Sequence, residues 1–390
     1  MILVRIRIQL ILTLISMLAA EVITDLQTHG IRLLNPGVGA ESRRGGAGPT
    51  DHKALTIDGL TVMIPVHTAT AFESPYIADA PDKKGTARVF KNGEFFSEIQ
   101  FPKKARFLDL STADGVPYGQ IAQLHSKDVL ATTVLQTCIR YKSRQKTCKF
   151  CAIGQSLAAG RTIAHKTPAQ LAEVARAAFL LDNVKHMVMT TGTPPGEDRG
   201  AKILSECAVA IRSAVDLPLQ AQCEPPQDNL WHNRMKEAGV DSLGMHLEVV
   251  NPVLRKKIMP GKSQVPIEKY FESFSYAVDI FGWGQVSTYI LAGLGDTVEE
   301  ILEICERLTS IGVYPFVVPF VPVSGTPLES HSPPTPHFMR SVLEPLAEMI
   351  QKSDMGSEKI KAGCGRCGAC SALSAFERIK QLSVKESVAC

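Results

Sequence analysis

Between residues 129 and 323 short apolar runs alternate with amphipathic stretches, six times without interruption. The runs are "LATTVLQT", "HMVMTT", "PLQAQCE", "SLGMHLEVV", "QVSTYILAGL" and "YPFVVPFVPV". The first intervening helix, "TPAQLAEVARAAFLL", opens on Thr167 as cap with Pro168 in its first turn; the last is "TVEEILEICERLTSIG", and a final helix, "PHFMRSVLEPLAEMIQKS", follows the sixth strand. Strands that alternate with helices form a parallel sheet covered by helices. Right-handed crossovers curl such a series toward a barrel, with chemistry gathered at the C-terminal ends of the strands. The predicted fold is therefore α/β, a partial TIM-type (β/α)6 barrel over residues 126–335.

The cysteines mark where that chemistry sits. Six of the ten fall in two groups, Cys138, Cys148 and Cys151 directly after the first strand, and Cys364, Cys367 and Cys370 near the C-terminus. Cysteines two residues apart ligate metal far more naturally than they bridge each other, which favours a reducing compartment. Thiolates suit zinc or iron–sulfur clusters. A structural zinc site wants four closed ligands, and near the first group only His165 offers a fourth. Three thiolates on a four-iron cluster leave one iron open to a substrate or cofactor. The second group follows the bacterial ferredoxin run C-x2-C-x2-C, with Ser374 where a fourth cysteine is expected. An auxiliary iron–sulfur cluster is the preferred reading there. Its remaining ligand could be Cys390, another protein group or the substrate; zinc and a redox thiol cluster are the alternatives.

"CKFCAIG", with an aromatic residue just before the last cysteine and placed after the first strand, resembles the radical S-adenosylmethionine (SAM) superfamily. Several later stretches agree with the resemblance. "TTGTPPGED" (190–198) looks like the glycine motif that receives the amino group of the methionine moiety, with Thr191, Gly192 and Thr193 as cofactor-binding residues. "YILAGLGDTVEE" (289–300), with Gly293 and Gly295, looks like the motif that lies along the adenine. "PFVPVSGTPLE" (319–329) resembles the sixth-strand exit of biotin-synthase-like members. One departure is plain: nine residues, "IRYKSRQKT", separate Cys138 from Cys148 where three are usual. They read as a polar surface excursion, which lengthening a loop permits at little cost. That spacing, with the "GCGRCGACS" tail, is similar to a narrower family of radical SAM proteins encoded beside a nitrilase in a gene cluster linked to cyanide assimilation. The resemblance implies a [4Fe–4S] cluster on Cys138, Cys148 and Cys151, SAM as cofactor, and a one-electron reductant of flavodoxin or ferredoxin type. It also implies radical chemistry on a nitrogen-containing metabolite, and the near-neutral charge fits one that is small and polar.

Polar residues at the strand ends complete the candidate site. Glu224 ends the third strand, where a carboxylate could meet the methionine ammonium or the substrate. His246 and Glu248 alternate on the fourth strand, so a period of two aims them at one face. Arg255, in "VLRKKIMPGK", is a cation that could hold a carboxylate. Glu224, His246 and Arg255 are read as catalytic, and Glu248 as cofactor-binding.

Around the barrel, residues 51–125 read as a small β-rich domain with a hairpin turn at Asn92-Gly93, and 336–390 as a helix and cluster tail. Residues 1–50 hold an apolar run (8–20) behind Arg5 and Arg7, a plausible amphipathic helix from Ser16 to His29, and a Gly-rich connection. The run is either an export signal or an upstream extension; oxygen-sensitive metal chemistry favours the cytoplasm. A net charge of +3 and the absence of a basic, aromatic-interleaved patch argue against nucleic acid or a stable membrane association. Two rival readings remain: a zinc-binding aldolase-like TIM barrel, and a non-catalytic iron–sulfur electron carrier.

Overall fold

The structure, a computed structural model, describes residues 17–34 and 51–388 apart from 58, 142 and 144. Residues 8–16 of the apolar run and Cys390, singled out above, lie outside the described residues. Residues 17–29 are helical and bury Ala20, Ile23 and Leu26. Among the described residues no helix is long and apolar enough to cross a membrane.

Two sheets organise the described residues. The first contains β1 (Arg32–Leu33), β2 (His52–Ile57), β3 (Leu60–Pro65), β4 (Tyr76–Ala78), β5 (Thr86–Lys91) and β6 (Glu94–Gln100), in the order β1-β4-β5-β6-β2-β3. The β5–β6 turn holds Asn92 at φ 52° and Gly93 at φ 90°, the pair of positive angles that an Asn-Gly hairpin turn needs. The second sheet contains β7 (Gln123–His125), β8 (Val129–Thr133), β9 (His186–Thr190), β10 (Leu219–Gln222), β11 (Ser242–Gly244), β12 (Val286–Ala292) and β13 (Val313–Pro319). From β8 to β13 neighbouring strands are parallel and follow chain order, while β7 adds to β8 antiparallel at the edge. The second sheet is a curled half-barrel whose edges are β7 and β13.

Its strands are buried on both faces, as parallel strands under helices must be: every residue of β8, β10 and β13 is buried. The first covering helix, Pro168–Asp182, starts on a full capping box, Thr167 and Gln170 exchanging side-chain bonds to each other's backbone N–H groups. One hydrophobic core runs through both sheets, so Ile64, Tyr76 and Val89 belong to the same cluster as Leu130, Leu243 and Phe316. The last strand of the β-rich stretch, β7, sits in the half-barrel itself.

The fourth strand departs from expectation. Regular pairing stops at Gly244 and resumes with the bridge Glu248↔Ile290. Met245 N–H bonds to Ser287 and Glu248 N–H to Tyr289, three residues against two, so one extra residue bulges out. Glu248 takes φ 64°, a left-handed angle unusual for a non-glycine residue.

The C-terminal tail closes the floor. It crosses the starts of successive strands: Gly363 N–H donates to His186 Nδ1 (3.2 Å), Cys364 N–H to Gln220 Oε1 (3.1 Å), Ala362 N–H to Ser242 Oγ (3.3 Å) and Lys361 N–H to Gln285 Oε1 (3.0 Å). On its other side Ala369 O accepts from Met63 N–H in β3 (2.8 Å) and from Gln27 Nε2 (3.0 Å). The tail is thus wedged between the two sheets.

Candidate active site

The chain leaves β8 and is stitched at once to its neighbours. Val134 N–H bonds to Thr190 O, Gly192 N–H to Leu135 O, and Ile139 N–H to Thr193 O. A Cβ at Gly192 would overlap the carbonyl of Thr137, so only glycine lets the end of β9 lie against the residue before Cys138. On the far side Lys149 N–H bonds to Ile258 O and Gly261 N–H to Lys146 O. The loop carrying Cys138, Cys148 and Cys151 is thereby clamped at the C-terminal ends of the strands.

The inserted residues are not only a surface excursion. Arg140, from the stretch between Cys138 and Cys148, is buried, with Nε and Nη2 on the two oxygens of Glu224 (2.9 and 2.6 Å) and Nη1 on Gly261 O. Thr193 Oγ donates to the same carboxylate (2.8 Å). Burial pushes the Glu224 carboxyl up, but Arg140 and Lys262 outweigh it and hold it below the ordinary glutamate value. Glu224 is therefore an ionised acceptor tying the cysteine loop to β9 and β10.

The bulge after β11 turns both His246 and Glu248 into the same lumen, a cavity of about 440 Å³. Glu248 accepts from Lys262 Nζ at 2.7 Å, and both are largely buried. Burial pulls the Lys262 ammonium down, yet Glu248 and the charges around it hold it well above its ordinary value. His246 Nδ1 accepts from Tyr289 N–H (3.2 Å), which leaves the ring proton on Nε2. Burial, then Lys262, lowers its pKa to about 3, so the imidazole is neutral.

Not every expected residue reaches the lumen. Cys138, Cys148, Cys151, Thr191, Gly192, Thr193, Glu224, His246 and Glu248 line it. Arg255 does not: its Nη1 bonds Leu247 O and Val249 O (3.1 Å for the latter) and its guanidinium lies over the Tyr270 ring, bracing the bulge from behind. The basic stretch does deliver a cation, but it is Lys262, seven residues on. Gly293 and Gly295 stand outside the cavity lining, with positive φ (104° and 114°) and close packing against Pro334 and Leu254. Arg140 and Lys262 are the residues that sequence reasoning missed. Both look like ordinary solvated bases until a buried carboxylate is found opposite each.

The floor of the same lumen is set by the tail. Cys364 and Cys370 line it from below, while Cys367 faces an outer cleft with Ser374. Each thiol has a polar neighbour: Gln222 Nε2 on Cys364 (3.2 Å), Ser126 on Cys367, and Tyr289 and His125 on Cys370.

The thiols fit an iron–sulfur cluster at the upper site. Burial pushes Cys148 far up and Cys151 to about 12, so thiolates there need a bound positive charge, which metal supplies. Among the described residues no three His, Cys, Asp or Glu side chains converge on one metal ion. A polynuclear cluster gives each thiolate its own metal, so its ligands stand apart.

Residues 144–308 match the family model described as the Radical SAM superfamily. That stretch, under half of the chain, is what it shares with the superfamily. A curated relative, bacteriochlorophyllide c C-7(1)-hydroxylase of Chlorobaculum limnaeum, is 34% identical over 139 residues, 35% of this chain. The chain matches only 34% of that relative's length. Among solved structures, methylornithine synthase is similar at TM-score 0.47 and 15% identity, over 69% of this chain and 79% of that one. Coproporphyrinogen III oxidase from Escherichia coli is similar at TM-score 0.37 and 13% identity, over 58% and 52%. The radical SAM match begins inside the nine-residue insertion, past Cys138, where this chain departs from the usual cysteine spacing.

Proposed function

We propose that the protein cleaves SAM reductively at a [4Fe–4S] cluster held by Cys138, Cys148 and Cys151, and turns the radical on a small polar substrate in the lumen. The observation that carries the reading is the convergence of this cysteine loop, Thr191–Thr193 and the Arg140–Glu224 and Lys262–Glu248 pairs on one cavity at the strand ends. When bound, the cluster and SAM supply an electron and a 5′-deoxyadenosyl radical. The chain's own part is to bind, orient and exclude water. Backbone groups of Thr191–Thr193 offer polar contacts to the methionine amino and carboxylate groups. Glu224 and Glu248 arrive already paired, so neither is an unbalanced charge; each can accept one further hydrogen bond from the cofactor or substrate. Neutral His246 presents an N–H donor and no positive charge to the lumen.

A cavity of about 440 Å³ is in the range of a single small-molecule site and favours a small substrate beside the cofactor. The resemblance to radical SAM proteins encoded beside nitrilases supports a nitrogen-containing metabolite. The tail cysteines are read as holding a second iron–sulfur cluster on the substrate's far side. A flavodoxin- or ferredoxin-like reductant and a cytoplasmic setting belong to the same reading.

Anaerobic reconstitution with iron and sulfide, then dithionite and SAM, tests it. About eight irons per chain and formation of 5′-deoxyadenosine are expected, with the product abolished in Cys148→Ala. No iron, or 5′-deoxyadenosine still formed by Cys148→Ala, would refute it.

A further inference from the structure

The second cysteine group is one ligand short along the sequence, and the residue standing where the missing cysteine would be, Ser374, lies on the outer cleft. The lumen side offers another group. His125 is the last residue of β7, buried at the floor, and its Nε2 is 3.5 Å from Cys370 Sγ. It lines the lumen together with Cys364 and Cys370. The next residue, Ser126, holds a left-handed φ of 57° in the tight β7–β8 turn and is hydrogen-bonded to Cys367. One hairpin therefore touches two of the three tail thiols, 245 residues away in sequence for the His125–Cys370 pair. The other polar neighbours are an amide, Gln222, and a phenol, Tyr289. An imidazole nitrogen is the group that binds iron in clusters where cysteine is replaced.

We propose that His125 is the fourth protein ligand of the metal centre held by Cys364, Cys367 and Cys370. The assignment rests on the reading that the tail binds a metal centre. It ties the N-terminal sheet's exit, the half-barrel edge and the tail to one site, and it gives that centre a full set of protein ligands without the substrate.

The experiment uses the full chain with Cys138, Cys148 and Cys151 changed to Ala, so that only the tail centre remains. It is loaded anaerobically with iron and sulfide, reduced, and examined by pulsed electron paramagnetic resonance with and without 15N-histidine labelling. A strongly coupled histidine nitrogen that changes with the label is expected. His125→Ala should lose that coupling and at least half of the iron, and His125→Cys should restore the iron without the nitrogen. If the triple variant is insoluble, the wild-type chain without SAM serves, because the upper site has no histidine among its proposed ligands. Iron retained in His125→Ala, or no nitrogen coupling, would overturn the ligand assignment alone. Zinc bound in place of iron, and lost in His125→Ala, would keep the assignment and sink the cluster reading. A tail that binds neither metal, beside an upper site that still cleaves SAM in the wild-type chain, would overturn both statements about the tail and leave the radical enzyme intact.

Discussion

At the scale of single residues, two contacts decide whether the upper cysteines are held in place. Arg140 and Glu224 form a bidentate pair with side chains 8% and 7% exposed. Removing one partner strands the other as an uncompensated buried charge, which costs far more than the pair itself is worth. Arg140→Ala is expected to lower unfolding stability by about 3 kcal/mol, and an Arg140→Met, Glu224→Met double variant by clearly less. Urea denaturation of the three proteins checks this; equal losses in the single and double variants would show that the stranded Glu224 charge is not what destabilises Arg140→Ala. Gly192 works through shape. A methyl group there must push the Thr137 carbonyl, and with it Cys138, out of position. Gly192→Ala should keep its circular dichroism spectrum while SAM cleavage falls about 100-fold, the effect of a misplacement near 1 Å. Unchanged cleavage would mean that the loop relaxes without moving its cysteine. Neither contact was legible in the sequence, although Gly192 itself was singled out there, as a cofactor contact and not for its approach to Thr137. The glycine stands in a recognisable motif after a strand, whereas Arg140 sits among Lys and Arg residues in a polar insertion, and charge alone cannot tell a buried guanidinium from a solvated one.

Among the elements, the six parallel strands were readable because burial on both faces makes them apolar throughout. The bulge after β11 was not. His246 and Glu248 are two residues apart, as strict alternation would place them, yet they reach the lumen through an extra residue and a left-handed backbone at Glu248. Nothing in the residue types signals that. The tail's seat left a trace that alternation hides: His186, Gln220, Ser242 and Gln285 are polar residues at the starts of apolar strands, each of them spent on a tail N–H. Gly363 is the tightest point of that seat, with φ 113° and a Cβ position that overlaps the Gln220 amide. Gly363→Ala should lift the tail from the floor. The expected result is a new protease-sensitive site between residues 357 and 372 and loss of about half the bound iron, with iron at the upper cysteines retained. A variant as resistant to protease as the wild type would show that Gln220 can swing aside.

For the whole molecule, the histidines that carry the packing make stability depend on pH. His232 Nε2 pairs with Ser273 Oγ at 2.8 Å beneath the helix Leu230–Glu237, and His186 Nδ1 accepts the tail's Gly363 N–H. Burial lowers the first to about 4 and the second to about 3; Lys269 and Arg366 push the same way. Both are neutral in the folded chain, while in the unfolded chain they take up a proton near pH 6.5. As pH falls below about 6.5 the unfolded state binds protons that the folded state refuses, so stability declines through this window until the folded pKa values are reached. Each histidine is worth about 1.4 kcal/mol between pH 7.5 and 5.5. Because His186 holds the tail and His232 the outer helix layer, the loss is felt at the floor of the half-barrel and at its wall together. The anaerobic urea midpoint should therefore be lower at pH 5.5 than at pH 7.5, and His232→Gln should reduce the difference between the two. A wild-type midpoint independent of pH across this range would mean that the two rings titrate in the folded protein as they do in the unfolded chain.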